Sequence, residues 1–175
     1  MVLLASSVAA ADIFQYTDKD GVVHIVNSVP PGVRARLLDL YRTLKVFPEV
    51  PDMLRELRNA GFATAILSNG SPGMLASAVA GNGLGDLLDA VISVDEVGTF
   101  KPHPSVYQRA LDRLEVRAEQ VSFQSSNAWD AHAASAFGMR VVWCNRYGQR
   151  PERLPGAPDF VVKSLAELSG LLADP

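Results

Sequence analysis

The sequence is poor in the residues that build redox and metal chemistry. It holds one cysteine, Cys144, which excludes an intrachain disulfide framework and a multi-cysteine zinc site. Its three histidines, His24, His103 and His132, lie far apart, and no HExxH occurs. Positive charge is not in excess: 16 Lys and Arg stand against 19 Asp and Glu, a net charge of −3, so no overall basic footprint marks a nucleic-acid binder. No apolar run reaches about 18 residues, so no transmembrane segment is expected. Repeats and low-complexity stretches are missing too. What remains is a chain of 175 residues with 48% hydrophobic and 20% charged residues, the composition of one packed domain and not of a disordered polymer.

The first 32 residues differ from the rest. Residues 1–11 run from an apolar stretch to small residues, Ala9-x-Ala11 before Asp12, like the tail of a secretory signal. The positive segment that opens such signals is lacking, which favours the alternative of a disordered apolar terminus. Residues 12–32 then read as a β-hairpin and linker. Two strand-like runs, Ile13–Thr17 and Val22–Asn27, flank Asp18-Lys19-Asp20-Gly21, whose Asp-Gly suits a tight turn. An isolated hairpin is marginal in water, so this one must dock or fray.

From residue 33 to 175 strands and helices alternate. Val33–Lys45 and Asp52–Ala60 carry apolar residues at helical spacing, and Phe62–Leu67 is a continuous apolar run suited to a strand covered on both faces. Helices follow over Pro72–Ala80, Pro104–Leu114, Asp130–Phe137 and Ser164–Leu172. Strands are expected over Ala90–Val94, Val121–Ser125, Met139–Cys144 and Phe160–Val162. This alternation predicts an α/β domain with a parallel sheet between two helical layers.

In an open parallel sheet, ligands bind beyond the carboxyl ends of the strands. Three polar clusters fall at such places: Ser68-Asn69-Gly70, Phe100-Lys101-Pro102-His103-Pro104, and Ser125-Ser126-Asn127-Ala128-Trp129-Asp130. Taken singly, each is common turn chemistry. Three together, with one lysine among them, point to a site.

These motifs carry a resemblance. Ile66-Leu-Ser-Asn-Gly-Ser71, Phe100-Lys-Pro-His-Pro104 with Tyr107, and Ser125-Ser-Asn-Ala-Trp-Asp130 resemble the type II (S)-2-haloacid dehalogenases of the haloacid dehalogenase superfamily, over about Leu37 to Leu172. Phe47-Pro-Glu-Val-Pro51 is similar to the family's passage from cap domain back to core. The resemblance implies a Rossmann-like three-layer sheet and hydrolysis of short 2-haloacids to 2-hydroxy acids. It also implies roles. Ser68 would bind the substrate carboxylate, Asn69 would help cradle the halide, and Trp129 would line the pocket for the alkyl group. Lys101 would neutralise nucleophile and substrate, with Tyr107 in the same network. Ser125 and Asn127 would orient the catalytic carboxylate and the ester carbonyl, and Asp130 would pair with Lys101 or assist the hydrolytic water. The plainer alternatives are a solvated Lys101, core aromatics at Tyr107 and Trp129, and a helix-start charge at Asp130. His103 and His132 read as surface or capping residues, and Cys144 as a small buried hydrophobe. Ser125 and Asn127 are neutral and only Asp130 is acidic, so no metal and no cofactor are expected, which favours a dehalogenase-like over a phosphatase-like site.

One part of the family pattern is missing. The reaction needs an aspartate nucleophile at the end of the first, central strand, within Asp-x-Tyr-Gly-Thr. Asp39-Leu-Tyr-Arg-Thr-Leu44 imitates it. The segment before it carries Arg34 and Arg36 at helical spacing, and Arg42 stands where the family has glycine, so Asp39 reads as a decoy. The cap is mostly absent, and its halide-binding arginine has no match; Arg34, Arg36 and Arg42 are candidates by charge alone. The hairpin resembles a short domain at the front of secreted bacterial proteins. The expectation is therefore an incomplete core with first strand and cap missing. Its open sheet would be closed by Val22–Val26 entering as a strand, or by a homodimer. The expected ligand is a small 2-haloacid or other carboxylate, with no nucleic acid, in the cytoplasm, or in the periplasm if residues 1–11 act as a signal. Three other functions stay open: a noncatalytic carboxylate- or phosphate-binding remnant, a phosphatase-like hydrolase, and an envelope module acting through the hairpin.

Overall fold

The computed structural model describes residues 2–6, 14–17, 23–26, 36, 39–40 and 43–172. Eight strands are described: β1 (Val2–Ser6), β2 (Phe14–Thr17), β3 (Val23–Val26), β4 (Thr64–Ser68), β5 (Ala90–Ser93), β6 (Ser122–Ser125), β7 (Arg140–Cys144) and β8 (Phe160–Val162). The helices are α1 (Val50–Asn59), α2 (Pro72–Gly81), α3 (Pro104–Leu114), α4 (Ala128–Phe137) and α5 (Leu168–Leu172). Six strands form one sheet in the order β5-β4-β1-β6-β7-β8, and all its pairings are parallel. Counted along the chain within that sheet, the order is 3-2-1-4-5-6, which is the doubly wound arrangement.

The centre of the sheet corrects the sequence reading. The slot expected to be empty holds β1, from the segment read as a signal-like tail. Leu4 pairs with Ile66 on one side and with Gln124 on the other. Val2–Ser6 is a short apolar run, and such a run suits a strand covered on both faces as well as it suits a signal core. The neighbouring edges decide, because β4 and β6 would otherwise keep unpaired buried backbone groups. The alternative strand, Val22–Val26, does not enter. β3 pairs antiparallel with β2, Phe14 opposite Val26 and Thr17 opposite Val23, as the hairpin reading expects.

Alternation along the strands builds two cores. In β7, Val141 and Trp143 face one layer with Val106, Tyr107, Phe123 and Ala131, while Val142 and Cys144 face the other with Leu54, Leu57 and Leu168. So α3 and α4 cover one face, and α1 and α5 the other. Helix α1 buries Val50, Met53, Leu54 and Leu57, with Pro51 in its first turn and Arg58 in its last. Its neighbour Glu49 accepts hydrogen bonds from Arg146 and from Ser164 Oγ, which fastens the start of α1 to the ends of β7 and β8. The Arg146 guanidinium also lies 3.8 Å from the centre of the Phe47 ring. No helix among the described residues is long and apolar enough to cross a membrane.

Helix α4 is rich in alanine, and small residues let it approach the sheet closely. Its outer side is held by a strap. His132 Nδ1 lies 2.7 Å from Gly156 O, and Ser135 Oγ donates to Ala157 O at 2.6 Å. His132 is thus a buried brace and not the surface or capping residue expected from sequence. His103 does cap: it precedes α3, and its Nδ1 accepts from Ser105 N at 3.3 Å. Gly156 has φ +77°, and an added Cβ would lie 2.5 Å from His132 O and 2.7 Å from Ala136 N. Both are backbone atoms of a helix and cannot retreat. Gly156→Ala is expected to lower stability by about 2–3 kcal/mol, read as an earlier urea midpoint with an unchanged slope.

Candidate active site

The site lies where the strand order reverses, at the carboxyl ends of β4 and β6 on either side of β1. Ser6, the last residue of β1, is level with Ser68, and Ala5 is level with Ser125. A strand order that reverses between two neighbours leaves a crevice there, because the following connections leave toward opposite faces.

Four of the residues singled out from sequence meet in one buried network. The Lys101 ammonium donates to Asp130 Oδ2 at 2.8 Å and to Leu67 O at 3.3 Å. Ser125 Oγ donates to the same Asp130 oxygen at 3.0 Å, and Tyr107 OH donates to Asp130 Oδ1 at 2.7 Å. Both side chains of the ion pair are 0% exposed. The solvated-lysine alternative therefore fails, while Tyr107 is a core aromatic whose hydroxyl also joins the network. Asp130 sits in the first turn of α4, where the helix field favours a carboxylate. Lys101 is brought in by the loop before α3, in which its backbone N–H donates to Asn69 Oδ1 at 2.9 Å.

The electrostatics follow from this burial. Loss of water pushes the Lys101 ammonium toward its neutral form, and the Asp130 charge and hydrogen bond oppose that. The Tyr107 phenol is pushed far above its ordinary range by burial and by the Asp130 carboxylate, so it stays a donor. Among the described residues, two of the three N–H groups of Lys101 have partners. Asn127 supplies another donor. Its Nδ2 is buried and has no hydrogen-bond partner among the described residues, while its backbone N–H donates to Ser125 Oγ at 3.2 Å. Tyr107→Phe removes the hydrogen bond that Asp130 Oδ1 accepts from a side chain among the described residues. It is expected to cost about 1–3 kcal/mol, read as a lower thermal midpoint.

The other candidates lie around this network. Ser68 is buried, and its Oγ accepts from Gly70 N at 3.0 Å, which folds the 68–70 turn over the end of β4. Trp129 lines an apolar cavity of about 360 Å³ with Tyr107, Pro102, Ala133 and Phe137. The sequence reading missed Ser93. Its buried Oγ donates to Gly70 O at 2.8 Å and accepts from Asp95 N, tying the 68–70 turn to the end of β5. A serine closing the apolar run Ala90–Ile92 was the available signal. Asp39 is helical and exposed. Cys144 is buried, which pushes its thiol upward. Among the described residues, no three His, Cys, Asp or Glu side chains gather as a metal site.

The doubly wound sheet with a buried Lys–Asp pair at its switch point is an α/β domain with a candidate site, and comparison with known proteins gives the family. Residues 9–138 match the family of haloacid dehalogenase-like hydrolases, so the chain belongs to it. The match begins after β1. The chain is 47% identical over 141 residues to (S)-2-haloacid dehalogenase 1 of Pseudomonas sp. strain CBS-3, covering 80% of this chain and 62% of that protein. It is 40% identical over 142 residues to haloacetate dehalogenase H-2 of Moraxella sp. strain B, covering 81% and 63%. Among solved structures, the L-2-haloacid dehalogenase of Xanthobacter autotrophicus with chloropropionic acid covalently bound superposes with a TM-score of 0.77 at 36% identity, covering 83% of this chain and 68% of that one. The chain thus spans less than two thirds of the length of the curated relatives named here.

Proposed function

We propose that the chain is a dehalogenase-type hydrolase domain that holds a short 2-haloacid or similar carboxylate, with the parent reaction suppressed by loss of its nucleophile. In the parent reaction a strand-end aspartate attacks C-2 of the acid and the halide leaves with the C–X electron pair. Water then opens the resulting ester, giving the 2-hydroxy acid and the free aspartate. The observation that carries the reading is the Lys101–Asp130–Tyr107–Ser125 network at the switch point, beside a central strand that ends on Ser6 and contains no acidic residue.

In this reading Lys101 and Asn127 Nδ2 are the donors offered to the carboxylate, beside the Ser68 turn. Asn69 would help cradle the departing halide, and Trp129 would line the pocket for the alkyl group. Asp130 positions Lys101, because each of its oxygens already accepts a donor from Lys101, Ser125 or Tyr107. No metal is required by these roles. The partnerless Asn127 amide favours a second reading, a noncatalytic carboxylate-binding domain.

Halide release from racemic 2-chloropropionate separates the readings, measured on the native chain and on Asp39→Ala. No release from a folded chain supports the loss of the nucleophile. Release that disappears in Asp39→Ala would make Asp39 the nucleophile and overturn the proposal.

A further inference from the structure

A serine outside the Lys101–Asp130 network ties the ends of β4 and β5 to the loop that carries Lys101. Ser93 closes β5, level with Ser68 at the end of β4, and is 3% exposed. Its Oγ donates to Gly70 O at 2.8 Å and accepts from Asp95 N at 3.2 Å. A carbonyl can only accept and an amide N–H can only donate, so these partners fix the direction of the hydroxyl proton. One hydroxyl thus grips the turn after β4 and the start of the segment that runs from β5 to Lys101.

The far end of that segment returns to the same turn. Lys101 N donates to Asn69 Oδ1 at 2.9 Å, and the Lys101 ammonium donates to Leu67 O at 3.3 Å. Between the two grips, Gly70 N donates to Ser68 Oγ at 3.0 Å and keeps the turn folded. The result is a closed circuit. It runs from Ser93 to Gly70, along the turn to Asn69, across to Lys101, and back along the chain through Asp95 to Ser93.

We propose that Ser93 is a positioning residue for Lys101. Its hydroxyl sets the 68–70 turn, and the turn, through Asn69 and Leu67, sets the Lys101 backbone and ammonium. That the placed ammonium serves a carboxylate rests on the function proposed above; the coupling of Ser93 to Lys101 does not. Ser93→Ala takes a partner from Gly70 O and from Asp95 N at once, and so opens the circuit at one point. Ser93→Thr keeps the hydroxyl, and a cavity of about 310 Å³ beside Ser93, lined also by Leu75, Ala76 and Val91, leaves room for the added methyl.

The test is amide hydrogen exchange, followed residue by residue by nuclear magnetic resonance. It uses the full native chain, Ser93→Ala, Ser93→Thr, Asn69→Ala and the double variant Ser93→Ala with Asn69→Ala. The Lys101 amide is expected to exchange about fivefold or more faster in Ser93→Ala, as befits the loss of a buried hydrogen bond, and at the native rate in Ser93→Thr. Val142 and Trp143 in β7 are expected to keep their native rates in both. In Asn69→Ala the Lys101 amide has already lost its acceptor, so adding Ser93→Ala is expected to change its rate no further. A merely structural serine would speed β7 together with Lys101, or cost the chain its native spectrum. Either result, a Lys101 amide indifferent to Ser93→Ala, or an equal further acceleration in the double variant would overturn the proposal. Binding of (S)-2-chloropropionate, measured in parallel, is expected to weaken about fivefold in Ser93→Ala and to recover in Ser93→Thr. No binding by the native chain would count against the proposed function, while the exchange rates still decide the role of Ser93.

Discussion

Replacing Lys101 by alanine is expected to destabilise the chain by about 3–5 kcal/mol, because it leaves a buried carboxylate without its counter-ion. Asp130 is 0% exposed, and among the described residues the loss would leave it Ser125 and Tyr107 as side-chain donors. The double variant Lys101→Met with Asp130→Asn removes both charges and is expected to recover most of the loss. Urea unfolding of the native, single and double variants at pH 7 checks both. A single variant as stable as the native chain at pH 7 would mean that the pair is solvated.

The second large effect is a gain. Ser6→Asp is expected to raise chloride release from (S)-2-chloropropionate by about a hundredfold or more over the native chain, since a covalent route opens where none existed. The register carries the argument. Ser6 is the last residue of β1, level with Ser68, at the point where the strand order reverses. An aspartate there would stand at the register position next to Leu67, whose carbonyl accepts from Lys101. Ser6→Asn has nearly the same shape without the charge and is expected to show no gain. Ala5→Asp is expected to show none either, because neighbouring strand residues point to opposite faces. Equal release from Ser6→Asp and Ser6→Asn would remove Ser6 from the reaction centre.

Much of this arrangement was legible in the residues, and the exceptions have physical causes. Helix α3 falls where Val106, Tyr107, Ala110 and Leu111 recur at helical spacing behind Pro104, because local periodicity and a helix-start proline agree there. Helix α4 begins two residues earlier than Asp130, since Ala128 and Trp129 complete its first turn without an acidic marker. β1 was not legible. Five residues, Val2–Ser6, carry no period long enough to separate a strand from a leader, and only the paired edges of β4 and β6, more than fifty residues further on, specify the strand. The grouping of Lys101, Tyr107, Ser125 and Asp130 was readable through the run from Ser125 to Asp130. Ser93 and His132 were not. Ser93 acts on Gly70 across two strands and His132 on Gly156 across a loop, long-range contacts that leave no local pattern.

The central claim is a site that binds a carboxylate without turning it over. One titration tests it: (S)-2-chloropropionate added to the native chain and to Asn127→Ala, with binding heat and free chloride measured in the same samples. Saturable binding by the native chain, at least about tenfold weaker in Asn127→Ala as befits the loss of a buried donor, with no chloride above the protein-free control, is the predicted result. Steady chloride release by the native chain, or binding that is indifferent to Asn127, would contradict the account.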